Sequence, residues 1–392
     1  MLSVVTARER SCRYLFIKIK MKNYLRIPLS ILGVALLQSC SSTQNLTEAN
    51  TEEPLSVILM IGDGMGVPQV SSAFYFGDET PNFERFEEIG FHKSYSTSHL
   101  ITDSAAGATA FATGQKTYKR AIGVSADSIP QETILEKLKE EGYQTGLISL
   151  TSITHATPAA FYAHVEDRDM HEDIAAQLAT ADVDFLAGGG RKFFSQRTDK
   201  KDLFQTLLNR NYNLDTLTLS NAQHNMRNAF IIEEEGLPSK TKGRGDFLKE
   251  ASLKALSYFD ANKKPFFLMV EGSYIDWGGH AKDAEMMIQE VADFDETIGA
   301  VLDYVETHPN TLLVITADHE TGGASIGKYY DVDEETGEKT EVPDKVAVYF
   351  ITDQHSGELI PVFAAGKGAE NFKGIYQNSA IYHKILKAIN AK

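Results

Sequence analysis

Short apolar runs alternate with segments of helical periodicity from residue 55 onward. Residues 55–61 (LSVILMI) are continuously apolar and are followed at once by Gly62-Asp63-Gly64-Met65-Gly66. This is the form of a strand buried on both faces that ends in a tight loop. The same pattern predicts further strands over 144–149, 183–187, 228–232, 266–270, 311–316, 346–351 and 359–364, with helices over 104–112, 131–141, 202–209, 284–307 and 380–389. Strands that alternate with helices build a parallel sheet. The expected fold is therefore α/β, with a large central, mostly parallel sheet covered by helices on both faces. Open sheets of this kind bind ligands beyond the C-terminal ends of their strands. The polar clusters DGMG after residue 62, THAT after Leu150-Thr151-Ser152-Ile153, EGSYIDWGGH after Val270 and ADHETGG after Thr316 all stand near such ends. No internal repeat is visible, and the acidic stretch 329–345 reads as a surface insertion or hairpin.

The first residues follow a different pattern. From Met21 the sequence runs MKNYLRIPLSILGVALLQSC, with Lys22 and Arg26 ahead of an apolar stretch over 27–37. That stretch is short for a membrane crossing and suits a secretory signal. Its end, Leu37-Gln38-Ser39-Cys40, resembles a bacterial lipobox with an unusual Gln38, which implies cleavage before Cys40 and lipidation of that cysteine. A plain secreted protein is the competing reading, and Met21 is an alternative start. The organisation expected is a signal segment of lipoprotein type over 1–39, a polar tether over 40–54 and a single catalytic domain over 55–392. The protein would then be exported, periplasmic or at the cell surface, with membrane contact through lipidated Cys40.

Composition narrows the function. The chain is 42% hydrophobic and 23% charged, enough to bury a large core and unlike a disordered or multi-span membrane protein. Its formal charge of -16 argues against a nucleic-acid-binding surface. Removing residues 1–39 would deepen that charge to -22 by taking seven basic residues and one acidic residue away. The two cysteines, Cys12 and Cys40, lie near the start, so neither a disulfide framework nor a cysteine-built metal site exists in the rest of the chain.

Candidate chemistry gathers at the strand ends. Asp276 and His280 are four residues apart, which puts both on one side of a helical turn. Asp318 and His319 are adjacent, and Asp63, Glu271 and His355 add candidates at three other element ends. Mixed imidazole and carboxylate donors suit zinc, whereas carboxylate, hydroxyl and water oxygens suit magnesium. Taken alone, each pair is a weak metal signal, because an Asp near a His more often makes a local hydrogen bond. Ser104 precedes a run of small residues, so its hydroxyl could cap a helix or, beside a metal, act as a nucleophile. Arg168, in HVEDRD, reads alone as a surface charge, yet a guanidinium is the side chain that grips two phosphoryl oxygens. These residues describe a two- or three-metal hydrolase, with polar loop ends of a non-catalytic α/β protein as the alternative.

The segments VILMIGDGMG, TDSAAGATAFATG, THATPAAFYAHVEDRD, MVEGSYIDWGGH, ITADHETGG and DQHSG, in that order, resemble the alkaline phosphatase family. The resemblance implies two Zn²⁺ and one Mg²⁺ per active site, a homodimer, and hydrolysis of small phosphate monoesters through a phosphoserine. Carried over by motif, Asp276, His280 and His355 resemble the first zinc set, and Asp63, Ser104, Asp318 and His319 the second, with Ser104 also the nucleophile. Asp63, Thr157 and Glu271 resemble the magnesium set, and Arg168 the arginine that holds phosphate. His155 stands where the enterobacterial pattern has an aspartate near magnesium, and Trp277 where it has a lysine. This His/Trp pair resembles family members from some marine and cold-living bacteria. A phosphodiesterase, a sulfatase and a non-catalytic phosphate-binding lipoprotein are the rivals. The DSAAGATA segment at Ser104 speaks against all three.

Overall fold

A computed structural model describes residues 54–390 of the chain. The signal segment and nearly all of the tether, Cys40 included, lie outside the described residues. Among the described residues fourteen strands occur in the order β1 (Ser56–Gly62), β2 (Glu88–Lys93), β3 (Gln144–Ser152), β4 (Phe185–Gly189), β5 (Tyr212–Asp215), β6 (Arg227–Ile231), β7 (Phe266–Gly272), β8 (Thr311–Thr316), β9 (Glu320–Thr321), β10 (Ala324–Val332), β11 (Lys339–Phe350), β12 (His355–Ser356), β13 (Ile360–Gly366) and β14 (Gly374–Gln377). Ten of them form one sheet in the order β14-β2-β13-β8-β1-β7-β3-β4-β6-β5. Only β13 runs against its neighbours, so the sheet is mostly parallel as expected.

Register aligns the strand ends that matter. Ile61 of β1 stands beside Glu271 of β7 on one side and beside Thr316 of β8 on the other. Ser149 of β3 pairs in turn with Glu271. The loops after β1, β3, β7 and β8 therefore leave the sheet side by side.

Two apolar cores flank the sheet because successive side chains of a strand point to opposite faces. Val57, Leu59 and Ile61 pack with Phe111, Leu147 and Phe267 on one face, under the helices Ser104–Thr113 and Ala380–Ile389. Ile58 and Met60 pack with Phe259, Leu268 and Phe294 on the other, under Phe247–Asn262 and Ala284–Thr307. Fully burying an aliphatic or aromatic side chain of this size contributes about 1.5–3 kcal/mol. Helix starts are set locally. Thr133 and Glu136 form a capping box, which moves the expected helix start from 131 to Ile134.

The pattern misplaced one strand. Of the expected strand 346–351, residues 346–350 fall in β11, which pairs with β10 in a separate antiparallel ribbon outside the central sheet. This ribbon contains the expected hairpin at 329–345, turning where Asp333 Oδ1 accepts from the main chain of Glu335 and Thr336. The edge strands β5 and β14, and β2 beside β14, carry no continuous apolar run and were not expected. Among the described residues, no helix is long and apolar enough to cross a membrane.

Candidate active site

Ser104 is the first residue of the helix Ser104–Thr113, but it does not cap it. Asp103 is the cap, its Oδ1 accepting from the Ala106 N–H at 3.2 Å. That arrangement leaves the Ser104 hydroxyl free for other partners, and its Oγ lies 3.3 Å from His319 Nε2. Gly107 is needed one turn on, since a Cβ there would come within 2.9 Å of the Asp318 Cβ. Gly64 has φ of +75° and donates its N–H to Asp318 Oδ1 at 3.2 Å, where a side chain would strike the Asp276 backbone. The tight loop after β1 thus holds the loop after β8.

Three groups of side chains at these loops could each hold a metal ion: Asp276 with His280 and His355, Asp63 with Asp318 and His319, and Asp63 with His155 and Glu271. Asp63 belongs to two of them, and His355 of the first stacks on His319 of the second with ring centroids 3.5 Å apart, which makes the groups one continuous site. In the first, Asp276 and His280 come from the helix Tyr274–Ala281, as their spacing predicted. Their closest atoms are 3.3 Å apart, and His355 Nε2 is 3.6 Å from Asp276 Oδ1. In the second, His319 Nε2 lies 3.3 Å from Asp318 Oδ2 and 3.7 Å from Asp63 Oδ1. Ligands bonded tetrahedrally to zinc at roughly 2.0 Å are about 3.3 Å from each other, so both spacings fit.

Proton positions fit as well. His319 Nδ1 is 3.2 Å from Thr321 Oγ1, and that hydroxyl donates to Asp276 Oδ1 at 2.5 Å. With its own hydrogen committed to Asp276, Thr321 accepts the Nδ1 hydrogen, and the Nε2 lone pair of His319 faces the carboxylates. Several buried oxygens there have no hydrogen-bond partner among the described residues: Asp63 Oδ1, Asp318 Oδ2, Glu271 Oε1 and Thr157 Oγ1. Orphaned carboxylate oxygens in a low-dielectric site are costly unless a cation meets them.

Burial pushes the Asp63 carboxyl well above its ordinary range, and the neighbouring Asp318, Asp276 and Glu271 push it further. Burial likewise raises Glu271 to about 7 against the hydrogen bonds from Ser149 and Ser273. The imidazoles shift oppositely, His319 well below its usual value and His355 to about 4, both chiefly through burial. Neutral imidazoles beside crowded carboxylates make the donor set that a divalent cation takes.

Arg168 reaches the same place from the loop before the helix His171–Thr180. Its Nη1 donates to Asp103 Oδ2 at 3.2 Å and its Nη2 to His155 Nε2 at 3.4 Å. With Nε2 accepting from the guanidinium, the neutral His155 ring carries its proton on Nδ1. Burial, then Arg168, depresses the His155 proton affinity to about 3. Trp277 stands apart from this network: it is 46% exposed, packs edge-on against Tyr274 at 4.7 Å and makes no polar contact among the described residues.

Sequence reasoning passed over several residues that hold the site. Arg120 grips Asp167 and Asp169 on either side of Arg168. Glu320 accepts from Gln69 at 2.8 Å, from the main chain of Gly323 and Ala324, and from Ser356, so it ties β9 to β12 and hence to His355. Glu320 and Thr321 lie inside ADHETGG, but nothing local shows that their partners are distant in sequence.

Relatives with known names share this architecture. The chain is 30% identical over 410 residues to alkaline phosphatase 4 of Bacillus subtilis, covering 85% of this chain and 88% of that one. The solved alkaline phosphatase of the Antarctic bacterium TAB5 superposes with a TM-score of 0.83 at 42% identity, over 86% of this chain and 98% of that one. A His-to-Asp mutant of the TAB5 enzyme, solved with Mg bound in its M3 site, gives 0.84 at 43% over the same shares. The alkaline phosphatase family profile matches residues 55–336, and the chain belongs to that family.

Proposed function

We propose that the protein is a metal-dependent phosphohydrolase that cleaves phosphate monoesters to an alcohol and orthophosphate through a phosphoserine at Ser104. One observation carries this reading: the Ser104 hydroxyl, the Arg168 guanidinium and two imidazole–carboxylate trios converge at the ends of adjacent parallel strands. The first trio, Asp276, His280 and His355, and the second, Asp63, Asp318 and His319 with Ser104, have donors suited to Zn²⁺. Asp63, Glu271 and the Thr157 hydroxyl suit Mg²⁺, with His155 at the edge of that site. Bound there, divalent cations lower the pKa of a hydroxyl or water and neutralise charge on a transferring phosphoryl group.

Ser104 Oγ attacks phosphorus, forming the Oγ–P bond as the P–O bond to the alcohol breaks, and the proton lost from Oγ ends on the departing oxygen. Arg168, held by Asp103 and His155, offers two parallel N–H groups to the nonbridging oxygens and follows their charge through both steps. Water then forms a new P–O bond from the vacated side, the Oγ–P bond breaks, and one proton of that water ends on Ser104 Oγ. Because every such contact addresses phosphate, a range of alcohols is accepted.

Assay of p-nitrophenyl phosphate against bis-p-nitrophenyl phosphate, with and without chelator, tests this function. Chelator-sensitive turnover of the monoester is expected. Preferential turnover of the diester would replace the reading with a phosphodiesterase.

Export, lipidation at Cys40 and a homodimeric state belong to the same proposal, supported by the N-terminal pattern and by resemblance to the family. Intact mass of membrane-extracted protein tests the first two, and light scattering the third. An unlipidated terminus downstream of Cys40 would remove the anchor.

A further inference from the structure

A cleft of about 420 Å³ opens beside the candidate site, with Asp103, Arg168 and His355 on its more buried wall and Ile101, Lys119 and Gln354 on its exposed wall. Its cations differ in availability. Arg168 is paired with Asp103. Arg120 is committed to Asp167 and Asp169. Lys119 has no ion-pair or side-chain hydrogen-bond partner among the described residues. Its main chain is nevertheless fixed, since its N–H donates to Ser98 Oγ at 3.0 Å. The next residue is also pinned, with the Arg120 N–H shared by both Asp103 oxygens at 3.1 and 3.2 Å. The main chain at Lys119 and Arg120 is thus anchored, through Asp103, to the loop that carries Ser104.

A free cation at this position has an electrostatic consequence. The chain carries a formal charge of -16, which repels a dianionic ester and repels a trianionic one more strongly. Arg168, His355 and Lys119 line one cleft, so an ester whose phosphoryl group is held by Arg168 has Lys119 in the same cleft as its alcohol. We infer that Lys119 forms a subsite for a second anionic group on the alcohol, so that monoesters bearing a carboxylate or a further phosphate are preferred over otherwise equal neutral ones. This inference rests on the phosphomonoesterase reading and names the substrate class of that same site. The exposed Ile101 beside it accommodates the apolar part of such an alcohol.

The test compares phenyl phosphate with 4-carboxyphenyl phosphate in the metal-replete enzyme and in Lys119→Ala, Lys119→Arg and Lys119→Glu. The quantity read is the ratio of kcat/KM for the carboxylated ester over the plain one, which is independent of the fraction of active enzyme. Relative to wild type, Lys119→Ala should lower the ratio about fivefold, the scale of a partly exposed ion pair. Lys119→Glu should lower it further, Lys119→Arg should retain it, and salt should compress the differences. An unchanged ratio in Lys119→Ala and Lys119→Glu overturns the subsite, including the case in which both esters slow equally because the lysine serves the transferring phosphoryl group. Failure of the wild type to hydrolyse either ester would instead overturn the phosphatase reading.

Discussion

His280 and His355 point their Nε2 atoms at each other across 3.2 Å, while each Nδ1 meets a main-chain carbonyl, that of Asp353 at 2.6 Å and that of Thr102 at 2.8 Å. The carbonyls take the Nδ1 protons of the neutral rings, so two lone pairs face one another with Asp276 Oδ1 close to both. Such a pair repels unless a cation stands between, and backbone anchoring of the second nitrogen is the usual device for orienting a metal-binding imidazole.

Metal removal is the direct check. Dialysis against a strong chelator should lower turnover at least about a hundredfold and lower Tm, because a ligand that binds only the folded state stabilises it. Zinc should restore activity and magnesium should enhance it. Elemental analysis of the active protein is expected to find zinc at about two per chain; active protein without a transition metal would contradict the assignment.

Ser104→Ala should retain the fold, since Asp103 rather than Ser104 caps the helix. Turnover should fall by about a thousandfold or more, with a residue of direct attack by water. Acid quench and peptide mass spectrometry of the wild type should find phosphate on the Ser104 peptide. Its absence under trapping conditions would end the covalent mechanism.

His155→Asp adds a carboxylate beside Asp63 and Glu271, and it should make activity more responsive to magnesium. The mutant should also lose the imidazole that accepts from Arg168. Trp277→Lys should tighten orthophosphate inhibition only if residue 277 can reach the phosphate. The edge-on packing of Trp277 against Tyr274 is what the lysine would have to leave. Inhibition constants for orthophosphate and magnesium activation curves of both single mutants decide these roles.

Arg120 holds a φ of +78°, a region that costs a non-glycine residue about 1–3 kcal/mol, while its side chain clamps Asp167 at 2.7 Å and also Asp169. Arg120→Gly keeps the backbone shape and removes the clamp, so it isolates the positioning of Arg168, whose N–H donates to the Arg120 carbonyl at 2.9 Å. KM and the orthophosphate inhibition constant should rise together by about three- to tenfold with a smaller change in kcat. Arg120→Lys should rescue poorly, because one ammonium cannot reproduce a planar bidentate contact. A fall in kcat alone would argue against this role.

Much of the fold was legible because a strand buried on both faces must be apolar at nearly every position. β1, β3, β7 and β8 therefore stood out, and with them the end of β7 that carries Glu271 and the loops that carry Asp63, His155 and Asp318. Asp276 and His280 were legible as a pair because helical spacing is local. Periodicity reports which face of an element is buried but not which element lies beside it. The antiparallel course of β13, the removal of β11 to a separate ribbon, the edge positions of β5 and β14 and the place of β2 between β14 and β13 were accordingly decided by tertiary pairing.

The site divides in the same way. Sequence alone determined the chemical types, since imidazoles, carboxylates, one serine and one arginine at loop ends allow only certain reactions. Tertiary structure decided which of them meet. Asp63 belongs to two trios because β1 lies between β7 and β8, and Gly64 reaches Asp318 across 254 positions because the register of those strands aligns their ends. The choice of Asp103 over Ser104 as helix cap, the engagement of Arg120 and the freedom of Lys119 were decided there too. Each depends on a partner brought near by long-range packing, and no local pattern encodes that partner's distance.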